Sequence, residues 1–272
     1  MWEKEEFTGK AVDSYVLVEL DFPNGEEAKA RVPNPERNEE LRAKYGIEGF
    51  PTVLLMTVDG EVFGQSGYTG ASPEDYLADV LEQQIEGKKA LAKTKEIEAE
   101  YEAAEDKMPV VKKAITQLKE LGDGIGGSTL AGIIRKGLEL DPADEAGIKI
   151  DALGALLKSG QATGDEVAMA AEADPANEKG LLEAVTQHKL GTLQQLSDLE
   201  DFIAMADKLH ATGKVHDKAV VRDCWVAAAF FCKQYLDRGE DAKAWAQRAK
   251  DMGDLDENQA AVVTDILGED PS

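Results

Sequence analysis

Apolar positions recur along this chain with two periods, and the period changes partway. In the first 14 residues Phe7 and Val12 mark the inward face of a short helix. Tyr15–Phe22, YVLVELDF, is dense in β-formers and predicts a strand. PNGEEAKARVPNPER follows as a Pro/Asn/Gly-punctuated loop. Asn38 is placed to cap a helix that runs to about Tyr45, with Leu41 and Tyr45 one turn apart and Gly46 as its stop. Thr52–Val58 predicts a second strand, Asp59-Gly60 a two-residue hairpin turn, and Glu61–Ser66 a third strand. Ser72 then caps a helix with Pro73 at its first position and Asp75 three residues on, carrying Tyr76, Leu77, Val80 and Leu81.

From about Gly87 onward the pattern is helical throughout. KKALAKTKEIEAEYEAAEDK reads as a solvated linking helix, and Ile115, Leu118 and Leu121 mark a better buried one. GDGIGG, residues 122–127, lacks the preceding strand and the Lys-Ser/Thr of a phosphate loop, so it reads as a helix–helix connection. DPADEAGI at Asp141 and DPANEKGL at Asp174 form an internal repeat 33 residues apart. A period near about 34 residues marks helix-pair arrays of the tetratricopeptide type, although the Trp and Tyr positions of that repeat are missing. Asp-Pro is expected to open a helix, with Asp as cap and Pro at the first position. Leu199–Leu209, Ala219–Leu236, Ala242–Met252 and Glu257–Leu267 supply further hairpin material.

Composition narrows the function classes. Of 272 residues 43% are hydrophobic and 31% charged, as in a globular chain. The net charge of −24 argues against nucleic acid, whose phosphates would repel it. No apolar run approaches the roughly 18 residues of a membrane span. Cys224 and Cys232 are the only cysteines. On one helix they lie about 12 Å apart at about 1.5 Å per residue, beyond the roughly 7 Å a disulfide tolerates, and they read as buried small hydrophobes. His188, His210 and His216 lack metal-ligand spacing, no Ser sits in a G-x-S-x-G elbow, and DMGDLDENQ lacks the order of a calcium loop. No metal, cofactor or catalytic residue is expected. MWEKEEFTGK has no apolar export segment, which places the chain as written in the cytoplasm.

Gly49-Phe50-Pro51-Thr52 stands directly before an apolar strand, where a tight turn often uses a cis X-Pro bond. VLVELDFP, NEELRAKYGIEGFPTVLLMTVDGEVFGQSGYTG and SPEDYLADVLEQ together resemble the bacterial thioredoxin-like family of envelope reductases and their relatives. The resemblance covers about residues 1–86. It implies a substrate-binding loop of Phe50, Pro51 and Thr52, with the Phe50 backbone pairing to extended substrate, and an adjacent loop of Gly67 and Tyr68. It also implies a W-C-x-x-C at a helix N-terminus, where the helix end lowers a thiol pKa. This sequence has no such motif, and it also lacks the strand that the family sets between VLVELDF and TVLLMTV.

The expected fold is therefore an incomplete α/β thioredoxin-like domain at 1–86, a helical linker at 87–121 and an all-α, tetratricopeptide-like helical-hairpin domain at 122–272. The expected parent is an N-terminally longer thiol–disulfide oxidoreductase, exported to the periplasm or cell envelope, with this chain inactive alone. The alternative is a non-catalytic scaffold. In either case the partner is a protein or peptide, with no nucleic acid and no membrane span.

Overall fold

The computed structural model describes residues 5–47, 49–122 and 126–268. The chain divides into two compact units, Met1–Lys95 and Glu96–Ser272. The first contains α1 (Glu5–Ala11), α2 (Glu26–Lys29), α3 (Pro35–Lys44), β1 (Thr52–Met56), β2 (Val62–Gly67) and most of α4 (Pro73–Ala103). Phe7, Ala11, Leu55, Phe63, Tyr76, Leu77 and Val80 form its core.

This is not the expected α/β domain. The only sheet among the described residues is the antiparallel pair β1–β2, and the chain is predominantly helical. The difference lies in Tyr15–Phe22, which forms no strand. β-propensity expresses how a side chain fits a pleated surface, and a strand still needs a ladder partner. Here Val16 is 93% and Val18 77% exposed. The segment's end is pinned by a side chain instead: Asn38 Nδ2 donates to the Asp21 carbonyl at 3.1 Å.

Asn38 is thus a buried residue inside α3 and does not cap it; the helix begins earlier, where Pro35 follows Asn34. Val12 points outward, and Ala11 takes the inward place beside Phe7. Leu81 is also exposed. The hairpin turn has three residues, Val58-Asp59-Gly60, closed by Thr57 N–H to Glu61 O at 2.8 Å and Gly60 N–H to Thr57 O at 3.0 Å. Gly60 supplies the left-handed third position at φ +81°. Beyond it, the register skips a residue at Phe63.

Ser72 caps α4 as expected, accepting Asp75 N–H at 3.2 Å. The helix runs on through Gly87 to Ala103. A Cβ on Gly87 would lie 1.7 Å from the Phe63 carbonyl oxygen, so this glycine marks a close approach of helix to strand, not a break.

The second unit is helical, in agreement with expectation. It holds α5 (Met108–Leu121), α6 (Gly127–Leu140), α7 (Lys149–Lys158), α8 (Gly164–Ala173), α9 (Leu181–Gly191), α10 (Leu196–Thr212), α11 (Lys218–Gln234), α12 (Gly239–Met252) and α13 (Glu257–Leu267). Of the Gly-rich connection before α6, residues 123–125 lie outside the described residues, as do residues 1–4 of the MWEKEEFTGK segment. Neighbouring helices pack on each other, and α5–α7, α7–α9, α9–α11 and α11–α13 also touch, so every second helix joins one continuous row. Such an array buries each apolar face only against its neighbours. One core runs from Ile97 and Tyr101 of α4 to Leu156, and a second from Leu153 to Ile266.

The Asp-Pro repeats close helices instead of opening them. Asp141 ends α6 and Asp174 ends α8. The residue before a proline is pushed out of the helical region, and that effect outweighs Asp as a cap. Each aspartate then turns its carboxylate onto the following loop: Asp141 accepts Glu145 and Ala146 N–H, both at 2.8 Å, and Asp174 accepts Glu178 at 2.7 Å and Lys179 at 2.9 Å. Asp144 and Asn177 both adopt left-handed backbone, at φ 56° and 52°. Each side chain accepts an N–H at the start of the next helix, Lys149 at 2.9 Å and Leu182 at 3.1 Å. The repeat is one corner geometry used twice.

Candidate functional site

The residues singled out by the family resemblance meet at one end of the hairpin. Thr52 opens β1 and lies opposite Gly67, which closes β2. Phe50-Pro51 is a cis peptide bond immediately before the strand. Thr52 Oγ1 donates to the Gly49 carbonyl at 2.7 Å and holds that turn. A Cβ on Gly67 would lie 3.1 Å from the Pro51 carbonyl oxygen, so the two strand ends approach closely. Phe50, Pro51 and Tyr68 are exposed, and Thr52 and Gly67 are half-buried.

The exposed Phe50 ring is held in place. It stacks on Phe22 with centroids 4.9 Å apart and planes 29° apart. The Arg42 guanidinium stands 5.7 Å from its centroid, while Arg42 Nε donates to the Ile47 carbonyl at 3.2 Å. The arrangement offers an aromatic platform, an exposed tyrosine and backbone groups at a hairpin end. Among the described residues, no thiol lies at that place, because Cys224 and Cys232 are both in the second unit.

The two thiols lie in the helical unit, on α11, and both are buried. Burial, reinforced by the charges of Asp223 and Glu183, pushes Cys224 up to about 12. Burial and Asp241 push Cys232 up to about 11. Thiolate is the reactive form, so these side chains act as apolar filler. No cluster of three or more His, Cys, Asp or Glu able to hold a metal occurs among the described residues. His210 packs edge-on to Trp225 and Trp245, with centroids 6.1 and 6.0 Å away. Burial and the nearby Arg248 charge hold its pKa below the usual histidine value. DMGDLDENQ is a capped turn, in which Asp256 accepts Gln259 N–H at 2.9 Å.

Sequence reasoning missed a buried polar network beside the second corner. Asn177, Asp174 and Glu183 are almost fully enclosed. Glu183 Oε1 accepts Asn177 Nδ2 at 2.9 Å and His216 N–H at 2.7 Å, and Oε2 accepts Asp217 N–H at 2.9 Å. His216 Nε2 lies 2.7 Å from the Asn177 carbonyl. The signal was available in the 33-residue offset, which sets Glu183 against apolar Ile150. A carboxylate at a position that is apolar in the sister repeat marks a different task.

Comparison with protein-family models, curated proteins and solved structures finds no match to this chain. No helix among the described residues is long and apolar enough to cross a membrane.

Proposed function

We propose that this chain is the partner-binding part of a protein of the thiol–disulfide oxidoreductase class, and that it is catalytically inert alone. In this reading the hairpin end receives an extended stretch of a protein substrate. Phe50 and Tyr68 contact its side chains, and the backbone around Pro51 and Thr52 meets its main chain. The dithiol that would attack a substrate disulfide is supplied from outside this sequence. The observation that supports the reading is the convergence of Phe50, Pro51, Thr52, Gly67 and Tyr68 at one hairpin end, with Phe50 held open to solvent by Phe22 and Arg42. Insulin reduction with dithiothreitol tests it, run on this chain and on one extended through the upstream reading frame. The expectation is background turnover for the first and clear turnover for the second. Turnover by this chain, or none by the extended one, rejects the reading.

A second reading is a scaffold with no redox role. The continuous helical row of the second unit, with both thiols sealed inside it, favours this alternative. An inert extended chain that still retains a protein partner would establish it.

A further inference from the structure

The helical unit carries an aromatic surface of its own, at the corner where α11 ends and α12 begins. Phe230, Phe231 and Tyr235 form a triangle with centroids 5.8, 6.0 and 6.1 Å apart. Phe231 is half-buried and rests edge-on against the fully enclosed Phe202 at 6.0 Å. Phe230 and Tyr235 are 37% and 58% exposed. The chain then turns sharply: Leu236 N–H donates to Phe231 O at 3.2 Å and Arg238 N–H to Cys232 O at 2.9 Å, which fixes the turn that leads into α12. Arg238 reaches Glu200 of α10 at 3.3 Å. One turn before Glu200, on the same helix face, Leu196 is 60% exposed. The patch therefore has a rigid aromatic centre and an aliphatic neighbour.

Its rim is acidic. Asp237, Glu240 and Asp241 follow the aromatic triangle directly in the chain, and Glu200 of α10 reaches the same corner through Arg238. The local bases are already engaged, Lys233 by Asp265 at 2.8 Å, Arg238 by Glu200 and Lys243 by Glu240 at 3.8 Å. An aromatic centre with a charged rim has the anatomy of a binding interface. The sign of the rim selects the occupant. A second copy of a chain with net charge −24 would set carboxylates against carboxylates, and an anionic lipid surface or nucleic acid would be repelled likewise. A cation beside an aromatic face is attracted to it.

We infer that this corner docks a basic, apolar-anchored segment of another protein, with Leu or aromatic side chains seated on Phe230 and Tyr235 and Lys or Arg meeting Asp237 and Asp241. The inference deepens the view of the helical row as a surface that holds a partner. It stands independently of the hairpin end, because its test reads only residues of the second unit.

The probe is a fluorescein-labelled 15-residue peptide with Leu at i, i+3, i+4 and i+7 spacing and Lys elsewhere, titrated onto the full chain by anisotropy. A Glu-for-Lys twin and a Lys-only peptide of equal length are the controls. The Leu/Lys peptide is expected to bind, and both controls are expected to bind far more weakly. Tyr235→Ser and Phe230→Ser each weaken binding about tenfold, as for a truncated interface anchor. Asp237→Lys with Asp241→Lys does the same, whereas Glu74→Lys with Asp79→Lys in the first unit leaves it unchanged. Amide chemical-shift changes on the native chain provide a readout that needs no variant, and they should centre on residues 230–241. Equal affinity for the Lys-only peptide, shifts centred elsewhere, indifference to the Tyr235 and Phe230 changes, or no binding would overturn the inference.

Discussion

Glu183 brackets His216: its carboxylate accepts the His216 backbone N–H at 2.7 Å across 33 residues of sequence. The other oxygen takes the next amide, Asp217, at 2.9 Å, and Asn177 donates from below. The enclosed Glu183 and Asn177 side chains and the two backbone N–H groups thereby satisfy one another and close the loop before α11 onto the corner before α9. Removing the acceptor leaves those donors unpaired in a low-dielectric site. Glu183→Ala is expected to cost about 2–4 kcal/mol in urea unfolding. Ile150→Ala, at the sister position, is expected to cost less, because no buried donors depend on it.

Arg135 and Glu166 form a two-pronged pair at 2.7 and 3.0 Å, and Arg135 also donates to the Gln161 carbonyl. Burial pushes the Glu166 carboxyl up, but the Arg135 hydrogen bonds and charge, with the Thr163 N–H, outweigh it and hold the pKa below the ordinary value. A depressed carboxylate pKa contributes stability that is present above the unfolded-state pKa and is lost as pH falls through the folded-state value. Glu166→Gln is therefore expected to cost about 1–2 kcal/mol near neutral pH. The gap from the native chain should shrink below about pH 4. Urea midpoints measured from pH 3 to 7 check this, and a gap that stays constant with pH rejects it.

The thiols give a test of burial that needs no mutation. With Cys224 pushed up to about 12 and Cys232 to about 11, neither should react with a disulfide reagent at pH 8 in the folded chain. Both should react at once in denaturant. Cys→Ala at either site is expected to cost about 1 kcal/mol, and Cys→Ser about 1–3 kcal/mol for the buried hydroxyl.

Gly87 offers a substitution whose local and tertiary effects oppose each other. Alanine favours helix over glycine by about 1 kcal/mol. Here its Cβ would stand 1.7 Å from the Phe63 carbonyl oxygen, so α4 must move off β2. Gly87→Ala is expected to lower stability by about 2 kcal/mol or more. Gly9→Ala, inside α1 and with no heavy atom near its added Cβ, is the control in the same thermal scan and is expected to raise stability by up to about 1 kcal/mol.

Much of this architecture was legible in the residues. The helical run after Gly87, the β1–β2 hairpin and the Ser72 cap all follow from short-range rules. What failed was non-local. YVLVELDF has every property of a strand except a neighbour to pair with, and propensity cannot supply one. Asp141 and Asp174 obey the rule for residues before proline more strongly than the rule for caps. The task of Gly87 is invisible locally, because the carbonyl it makes room for lies 24 positions earlier, at Phe63. The task of Glu183 depends on amides that the chain reaches only at His216.

The second corner also bears on where the molecule should breathe. Loop amides ordinarily trade their hydrogens with solvent first, and helix interiors last. Between α8 and α9 that order should invert. The N–H groups of Glu178, Lys179 and Leu181 all point at the carboxylate of Asp174, and that of Leu182 points at Asn177, whose side chains are shut away from water. In deuterated solvent these loop hydrogens should outlast those at the frayed helix ends on either side. The slowest-exchanging backbone in this neighbourhood would then mark a bend, which acts as the rivet while the rods around it loosen.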